Sequence, residues 1–392
     1  MIKRLTLFLV LGGMLFTSLA EARPVAAQSQ TPIEGEPYAG LPLCQPDAYL
    51  ADPQDCIPMG PSSYITQLAQ KGITYPFLPI MAVSPDPTLN NLDFHYARIN
   101  VPAPEQAPIY NSYDEAISGG TPATHLKPGN LLYVSYSQRA DNEGNSYVYL
   151  RSGGWMRASP GDSQSKYQGL LFQQNPTTNL GWMVDTIHPR VAPGYQSPET
   201  TLTLNNQSPV QIYDIQEVDQ VKWYMVGLNQ WVERRYIRQL EINTTPPQGV
   251  TNNRWIDVNL YEQTLAVYEN GKLLFGTLMA SGMKPYYTRP GLFQITQKKP
   301  TETMSGAFEA DGSDYYYLED VPWTMYFDKE RAIHGAFWRA MFGYEQSHGC
   351  LSLSIGDSRW VYDWAKEGDY VFVHDPSGLT PTDPALYTDG GA

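Results

Sequence analysis

The sequence predicts a mainly β protein, in which two small β-rich modules precede a larger domain of strands with one or two short helices. Its 392 residues include 32 Gly, 32 Pro and 28 Tyr, and only 17% of them are charged. Gly and Pro favour turns, aromatic residues favour strands, and a low charge content disfavours long surface helices. A chain of this length accommodates two or three domains of about 100 to 200 residues each.

Residues 1–22 have the composition of a secretory signal peptide. Lys3 and Arg4 precede an uncharged, mostly apolar run that ends at Ala20, and a small-x-small cleavage pattern closes the segment at Ala22. The run is shorter than the ~20 residues that a membrane-spanning helix requires. We therefore expect an exported protein of the cell envelope, periplasmic or wall-associated, and a membrane-anchored one if the segment stays uncleaved.

The three cysteines divide into a pair and a single thiol. Cys44 and Cys56 lie in a Pro- and Asp-rich part of residues 23–92, which we predict to be an extended N-terminal region. A disulfide between these two cysteines suits an oxidising compartment. Cys350 is then the remaining thiol, and an unpaired cysteine in an exported protein indicates a functional sulfur.

Two similar stretches predict the small modules, at residues 93–160 and 197–245. Each contains two short apolar runs joined by a Gly-containing turn, with an aromatic residue eight positions before Trp155 or Trp231. This layout is typical of two strands joined by a tight turn, and several such strands can form a small barrel.

Proline-containing stretches separate these modules from each other and from the rest of the chain. Residues 161–196 contain Pro176, Pro189 and Pro193 and are predicted to be a linker packed on the surface. A Pro-Pro pair then precedes the large domain, which we place at residues 253–376. Residues 377–392 are predicted to be a loose tail.

The large domain opens with a predicted β-meander. Alternating runs that begin at Trp255 and Thr264 are followed by Asn270-Gly271, a hairpin signal because both residues tolerate positive φ. Ser354 and Asp357 form a capping-box pattern, which predicts a short helix after them. The further predicted strands cover residues 273–279, 288–295, 321–327 and 370–373.

The residues from His334 to Cys350 carry the candidate chemistry. They contain His-Gly at 334–335 and Ser-His-Gly-Cys at 347–350. A thiol attacks carbonyl groups as its thiolate, and with a free pKa of about 8.5 it needs a nearby imidazole or backbone N–H groups to do so near neutral pH. His334 can supply the imidazole, and the amides of Gly349 and Cys350 can face a developing oxyanion.

This pattern resembles the YkuD-type L,D-transpeptidases of bacterial cell walls. The resemblance depends on the two motifs and their spacing, and on the order of the strands and the Asn-Gly-Lys turn between residues 253 and 374. The modules at 93–160 and 197–245 resemble bacterial SH3-like domains, which often accompany wall enzymes. The resemblance implies tandem SH3-like β-barrels followed by a YkuD-type β-sandwich catalytic domain.

The resemblance also assigns roles to individual residues. It implies that Cys350 is the nucleophile and that His334 is the general base, oriented by the backbone carbonyl of Gly335. His348 and Gly349 complete the catalytic loop. The predicted substrate-binding residues are Ser347, Tyr316, Met325, Phe327, Trp338 and Ser352. Tyr316 stands for a loop over the site, in which Tyr315 and Tyr317 are equally open candidates for a hydroxyl donor.

The implied substrate is a peptidoglycan stem tetrapeptide. It would acylate the cysteine with release of D-Ala, and the side-chain amine of another stem would take the acyl group in a 3→3 crosslink, which contributes to wall biogenesis and cell shape. Carbapenem-type inhibitors would acylate the same sulfur, and the SH3-like modules could bind glycan. Many members have Arg two residues after the nucleophile, where this chain has Ser352. The candidate replacements that would bind a substrate carboxylate are Arg331, Arg339 and Arg359.

Other interpretations stay open. The same residues would catalyse L,D-carboxypeptidase-type hydrolysis of stems if water were the acceptor, and a non-enzymatic wall-binding protein would leave Cys350 idle. Papain-like NlpC/P60 hydrolases place the cysteine before the histidine, and sortases lack Ser-His-Gly-Cys. A zinc site at His348 and Cys350 needs three or four ligands, for which His334 and the distant His374 are the remaining candidates. We predict no metal and no cofactor.

The charge of the chain disfavours another class of partner. Lysine and arginine total 26 against 40 aspartate and glutamate, which gives a net charge of −14. An acidic surface repels phosphate backbones and anionic membrane surfaces. We therefore expect no nucleic-acid partner.

Overall fold

The computed structural model describes residues 80–101, 105–161, 169–309 and 311–387, together with Leu68, Lys71 and Ile73. The signal peptide, the disulfide between Cys44 and Cys56 and the end of the tail lie outside these residues and stay predictions. None of the helices in the described part of the chain combines the length and the apolar composition that a membrane span requires.

The predicted mainly β class is confirmed. Two α-helices are described, α1 (Tyr113–Ser118) and α2 (Ile355–Trp364), with short 3-10 helices at Pro87–Asn90, Arg234–Tyr236 and Pro384–Tyr387. The strands, in chain order, are β1 (Ala82–Val83), β2 (His95–Arg98), β3 (Ala107–Ile109), β4 (Thr124–Leu126), β5 (Leu131–Asn142), β6 (Asn145–Leu150), β7 (Trp155–Arg157), β8 (Ser159–Pro160), β9 (Leu170–Phe172), β10 (Asn179–Met183), β11 (Pro209–Ile212), β12 (Asp214–Val218), β13 (Val221–Gly227), β14 (Gln230–Glu233), β15 (Ile237–Leu240), β16 (Arg254–Asn259), β17 (Thr264–Glu269), β18 (Lys272–Leu278), β19 (Gly291–Gln294), β20 (Gln297–Gly306), β21 (Tyr316–Asp328), β22 (Arg331–Gly335), β23 (Leu351–Leu353) and β24 (Tyr370–His374).

One large sheet contains the predicted meander. Its strand order is β1-β9-β18-β17-β16-β24-β19. Asn270 and Gly271 have φ values of 53° and 73° at the β17–β18 turn, as their sequence predicts. Residues of β16 and β17 are almost all buried, because both faces of this sheet are covered.

The second large sheet has the order β23-β22-β21-β5-β2-β8, with β20 paired to β21 and with β6 and β7 continuing from β5. Apolar side chains of the two sheets meet in a buried core, to which α2 contributes Val361. The helix begins at Ser354, whose side chain accepts a hydrogen bond from the Asp357 N–H at 3.1 Å. The predicted helix start is therefore confirmed.

The strand pairs predicted for the two small modules are present. β6 pairs with β7, and β13 pairs with β14, each across a tight turn. However, β5 also pairs in parallel with β21, so strands of residues 93–160 continue the sheet of the large domain. The SH3-like character of both modules, and glycan binding by them, stay predictions.

Residues 161–196 differ from the expected surface linker. β9 adds to the edge of the first sheet by pairing with β18. β10 places Leu180 and Trp182, which are 1% and 0% exposed, against the face of that sheet opposite α2. The gain from burying these large apolar side chains outweighs the turn preference that the prolines confer.

Replacement of Leu180 by Ala tests whether this segment is structural. Removal of a fully buried leucine side chain leaves a cavity, and we expect the free energy of unfolding to fall by about 2–5 kcal/mol, measured by chemical denaturation. Leu202→Ala is the matched control, because Leu202 is 42% exposed, and its effect should stay within about 0.5 kcal/mol. Equal effects of the two substitutions would contradict the burial of β10.

Candidate active site

The pairing of β22 with β23 brings the two motifs together. The two strands are parallel, and His334 lies opposite Ser352 in their register. Cys350 comes directly before β23, and its Sγ lies beside Ala332, two residues before His334 on β22. Both predicted catalytic side chains line one cavity of about 370 Å³, whose walls are Leu131, Met304, Tyr316, Leu318, His334, Trp338, Arg339, Ala340, Met341, Gln346, Ser347, His348, Cys350 and Ser352.

Backbone and side-chain hydrogen bonds hold the Ser-His-Gly-Cys loop. The N–H groups of Gln346 and Ser347 both donate to the Ser281 carbonyl at 2.9 Å. The Ser347 hydroxyl donates to the Cys350 carbonyl at 2.6 Å, so Ser347 fixes the loop. The Gly349 N–H donates to the same hydroxyl at 3.1 Å. In this conformation the Gly349 amide is therefore not directed at a substrate oxyanion, which corrects the expectation for that group.

Gly335 has two structural functions beside His334. Its carbonyl oxygen lies 3.1 Å from Nδ1 of His334, as the family resemblance implies. A proton on Nδ1 satisfies this contact and leaves the lone pair of Nε2 available to accept a proton. A side chain at position 335 does not fit, because its Cβ would lie 2.7 Å from Ser358 Oγ.

Burial keeps both candidate catalytic groups neutral in this structure. Burial lowers the pKa of His334 to about 4, against the opposing effect of the Gly335 hydrogen bond. Burial also raises the pKa of the Cys350 thiol to about 11, with partial compensation from the Ala332 N–H. A neutral imidazole and a protonated thiol are therefore the states expected at pH 7, rather than a preformed ion pair.

The thiol makes its own contacts with the β22 backbone. Sγ of Cys350 accepts a hydrogen bond from the Ala332 N–H at 3.4 Å and lies 3.8 Å from the Glu330 carbonyl oxygen. Among the described residues, no hydrogen bond joins Sγ to the His334 ring. In this structure the thiol is therefore directed at the Glu330 carbonyl rather than at His334.

Three of the predicted substrate-binding residues place buried polar atoms at the cavity. The Tyr316 hydroxyl, Nε1 of Trp338 and the Ser352 hydroxyl are buried, and none of them has a hydrogen-bond partner. Tyr316 is the tyrosine on the cavity side of β21, whereas Tyr315 and Tyr317 pack against a different cluster. Period-two alternation along β21 explains this division.

The prediction that Met325 and Phe327 bind substrate is corrected, because neither residue lines the cavity. They are 0% and 3% exposed and lie in the core between the two sheets. Asp320 and Trp323 have φ values of 52° and 59° between Tyr316 and these residues. The strand changes direction at these two positions, so its second half faces the core.

The structure distinguishes among the three candidate arginines. Arg331 is 1% exposed and contacts Asp328 and the Tyr387 carbonyl, which belongs to the part of the tail that is packed rather than loose. Arg359 pairs with Asp363 at 2.6 Å along α2. Arg339 alone among the three lines the cavity.

His348 lies at the rim of the cavity rather than deep in it. Its ring stacks on Phe308 with centroids 4.4 Å apart, and Tyr286 packs at 5.1 Å. This position is consistent with a substrate-orienting side chain. Phe308 and Tyr286 carry no motif, so the sequence did not indicate their proximity to His348.

Sequence reasoning also missed the apolar side of the cavity. Leu131 on β5 lies opposite Tyr316 on β21 in the parallel register. Met304 and Leu318 come from the paired strands β20 and β21. Residues 131–137 are strand-like in sequence, but they contain no signal for pairing with a strand so distant in the chain.

Comparison with known proteins agrees with the geometry. Residues 253–373 match the family model described as YkuD, L,D-transpeptidase catalytic domain. The chain is similar to a Bacillus subtilis protein named "Putative L,D-transpeptidase YciB", with 26% identity over 131 residues, which cover 30% of this chain and 64% of that protein.

Two solved structures are also similar to this chain. An L,D-transpeptidase from Stackebrandtia nassauensis is 25% identical, and the match covers 33% of this chain and 60% of that chain with a TM-score of 0.26. The catalytic domain from the Enterococcus faecium L,D-transpeptidase acylated by ertapenem is 26% identical, over 32% of this chain and 100% of that chain, with a TM-score of 0.29.

Fold and site together define a mainly β domain with a cysteine and a histidine in one cavity. Residues 253–373 are a YkuD-type L,D-transpeptidase catalytic domain. The chain spans 64% of the length of its Bacillus subtilis relative and 60% of the Stackebrandtia chain.

The neutral state of the pair can be tested by alkylation. Because burial raises the pKa of Cys350 to about 11, we expect its labelling by iodoacetamide to be slow at pH 7 and to rise about tenfold per pH unit up to at least pH 10. Peptide mass spectrometry assigns the label, and Cys350→Ser is the control. A rate that reaches a plateau below pH 8 would mean that the thiolate is already stabilised.

Proposed function

We propose that this protein is an exported cysteine L,D-transpeptidase that acts on peptidoglycan stem peptides in the cell envelope. The observation that carries the proposal is the shared cavity of Cys350 and His334 in a domain that matches the YkuD family model. The orientation of the His334 ring supports it, because Nε2 remains available as a proton acceptor. The secretory composition of residues 1–22 supports export.

The first half-reaction forms a thioester. The thiol of Cys350 turns from the Glu330 carbonyl, gives its proton to Nε2 of His334 and attacks the carbonyl carbon that precedes the terminal D-Ala of the donor stem. A carbon–sulfur bond forms, and the peptide carbon–nitrogen bond breaks. The imidazolium returns the proton to the leaving nitrogen, and D-Ala departs as a neutral amine.

The second half-reaction restores the thiol. The side-chain amine of an acceptor stem attacks the thioester carbon and passes one proton to His334. The carbon–sulfur bond breaks, an amide crosslink of the 3→3 type forms, and the sulfur recovers its proton from the imidazolium. Water in place of the amine gives hydrolysis, so the same residues would catalyse the L,D-carboxypeptidase reaction.

Acylation by a carbapenem tests the nucleophile without the natural substrate. We expect intact-protein mass spectrometry to show one covalent adduct, which peptide mapping places on Cys350, because the β-lactam carbonyl substitutes for the donor carbonyl. Cys350→Ala should abolish the adduct, and Arg359→Gln on α2 should leave it unchanged. An adduct on another residue, or none on the native protein, would contradict the proposal.

Replacement of His334 by Gln tests the general base. A glutamine keeps a polar side chain but cannot carry the proton, so we expect acylation of Cys350 and D-Ala release from tetrapeptide stems to slow by about 10²- to 10⁴-fold. Release of D-Ala is measured by chromatography, with circular dichroism as the control for folding. Release at the native rate by either the His334→Gln or the Cys350→Ala protein would rule out this mechanism.

A further inference from the structure

Arg339 is a cation without a counterion beside the candidate nucleophile. Its NH2 nitrogen donates to the Gln346 backbone carbonyl at 2.7 Å, and NH1 lies 3.3 Å from Oε1 of the same residue. Its Nε atom is buried without any hydrogen-bond partner. Among the described residues, no carboxylate lies within ion-pair distance of the guanidinium. Arg339 as a whole is half-buried, and a cation partly withdrawn from water without an ion-pair partner favours an anionic ligand.

The side chains around Arg339 indicate that the missing ion-pair partner belongs in the cavity. The unpartnered atoms of Tyr316, Trp338 and Ser352 belong to walls of the same cavity as Arg339. Each of them can donate a hydrogen bond, and the tryptophan and arginine groups cannot accept one. The combination of a cation with several donors favours an acceptor-rich anion, and a carboxylate is such a group.

We propose that Arg339 binds the terminal carboxylate of the acyl donor, so that the enzyme selects donors that end in a free carboxylate. The inference rests on the proposed function for the identity of that donor. In a peptide whose last residue departs, one nitrogen and one Cα separate the attacked carbonyl carbon from the terminal carboxylate. A donor seated on Cys350 therefore carries this carboxylate close to the sulfur, within the same cavity as Arg339.

The absence of a cation at position 352 supports the assignment of Arg339 as the carboxylate-binding residue. Ser352 lies two residues after Cys350 and is 1% exposed, and its hydroxyl has no charge to offer an anion. Arg331 and Arg359, the other candidates, already pair with Asp328 and Asp363. Arg339 is therefore the candidate cation that remains without an acidic partner at this site.

A second role for Arg339 has to be separated from this one. The guanidinium is close enough to Cys350 to lower the pKa of the thiol, although burial dominates that pKa. A residue that only stabilised the thiolate would affect all electrophiles equally. A carboxylate-binding residue instead affects donors according to their terminal group.

The test measures peptide binding by a protein that lacks the Cys350 thiol and therefore cannot be acylated. In the Cys350→Ala protein, we expect a stem tetrapeptide with a free terminal carboxylate to bind roughly 10- to 100-fold more tightly than the same peptide with a terminal carboxamide. Adding Arg339→Gln should reduce this ratio to below about threefold. Arg339→Lys should retain part of it, and Arg359→Gln should leave it unchanged. Calorimetry measures all four proteins, and circular dichroism verifies their folding.

The outcomes separate the inference from the proposed function. Equal binding of acid and amide by the Cys350→Ala protein, or an unchanged ratio after Arg339→Gln, would overturn the role of Arg339 even if acyl transfer occurs. A preference for the acid that depends on Arg339 supports the site even if the native protein transfers no acyl group. If Arg339→Gln in the native protein slows iodoacetamide labelling and the donor ratio does not change, the arginine acts on the thiolate alone.

Discussion

The parallel pairing of β22 with β23 is the constraint on which the site depends. It sets His334 opposite Ser352 and fixes Cys350 at the beginning of β23. A slip of one residue in this register would turn the His334 side chain to the other face of the sheet. The register is maintained from both sides, because Ala280 exchanges backbone hydrogen bonds with Ser352 and Gly335 approaches Ser358 too closely to admit a side chain.

The residues before the YkuD-type domain contribute to this site directly. β5 extends the sheet of β21, and Leu131 lies beside Tyr316 at the cavity. Tyr96 stacks on Phe337, the neighbour of Trp338, and its hydroxyl donates to the Asp320 carbonyl at 2.6 Å. The aromatic wall of the cavity therefore depends on packing by strands that lie more than a hundred residues earlier in the chain.

The limits of sequence reasoning follow from the same long-range contacts. Local signals are sufficient where neighbouring residues decide the structure, as at Asn270-Gly271 and at the Ser354 helix cap. Local signals fail where a distant partner decides, as for β10, whose Trp182 is buried by strands from other parts of the chain. They also fail for Met325 and Phe327, because their strand turns at two positive-φ residues that precede them. The motif indicated the candidate nucleophile and base, but only the structure showed which arginine faces the cavity.

The electrostatics of the cavity connect these observations. A protonated thiol and a neutral imidazole cost little to bury, so the resting pair needs no counterion, whereas the half-buried guanidinium of Arg339 gains from one. If a donor carboxylate supplies that counterion, the unpaired charge of Arg339 favours binding of donors that carry one. The bound anion also cancels part of the effect by which Arg339 lowers the thiol pKa. Thiolate formation must then be driven by proton transfer to His334 during attack, which agrees with a base whose Nε2 is held ready by the Gly335 carbonyl.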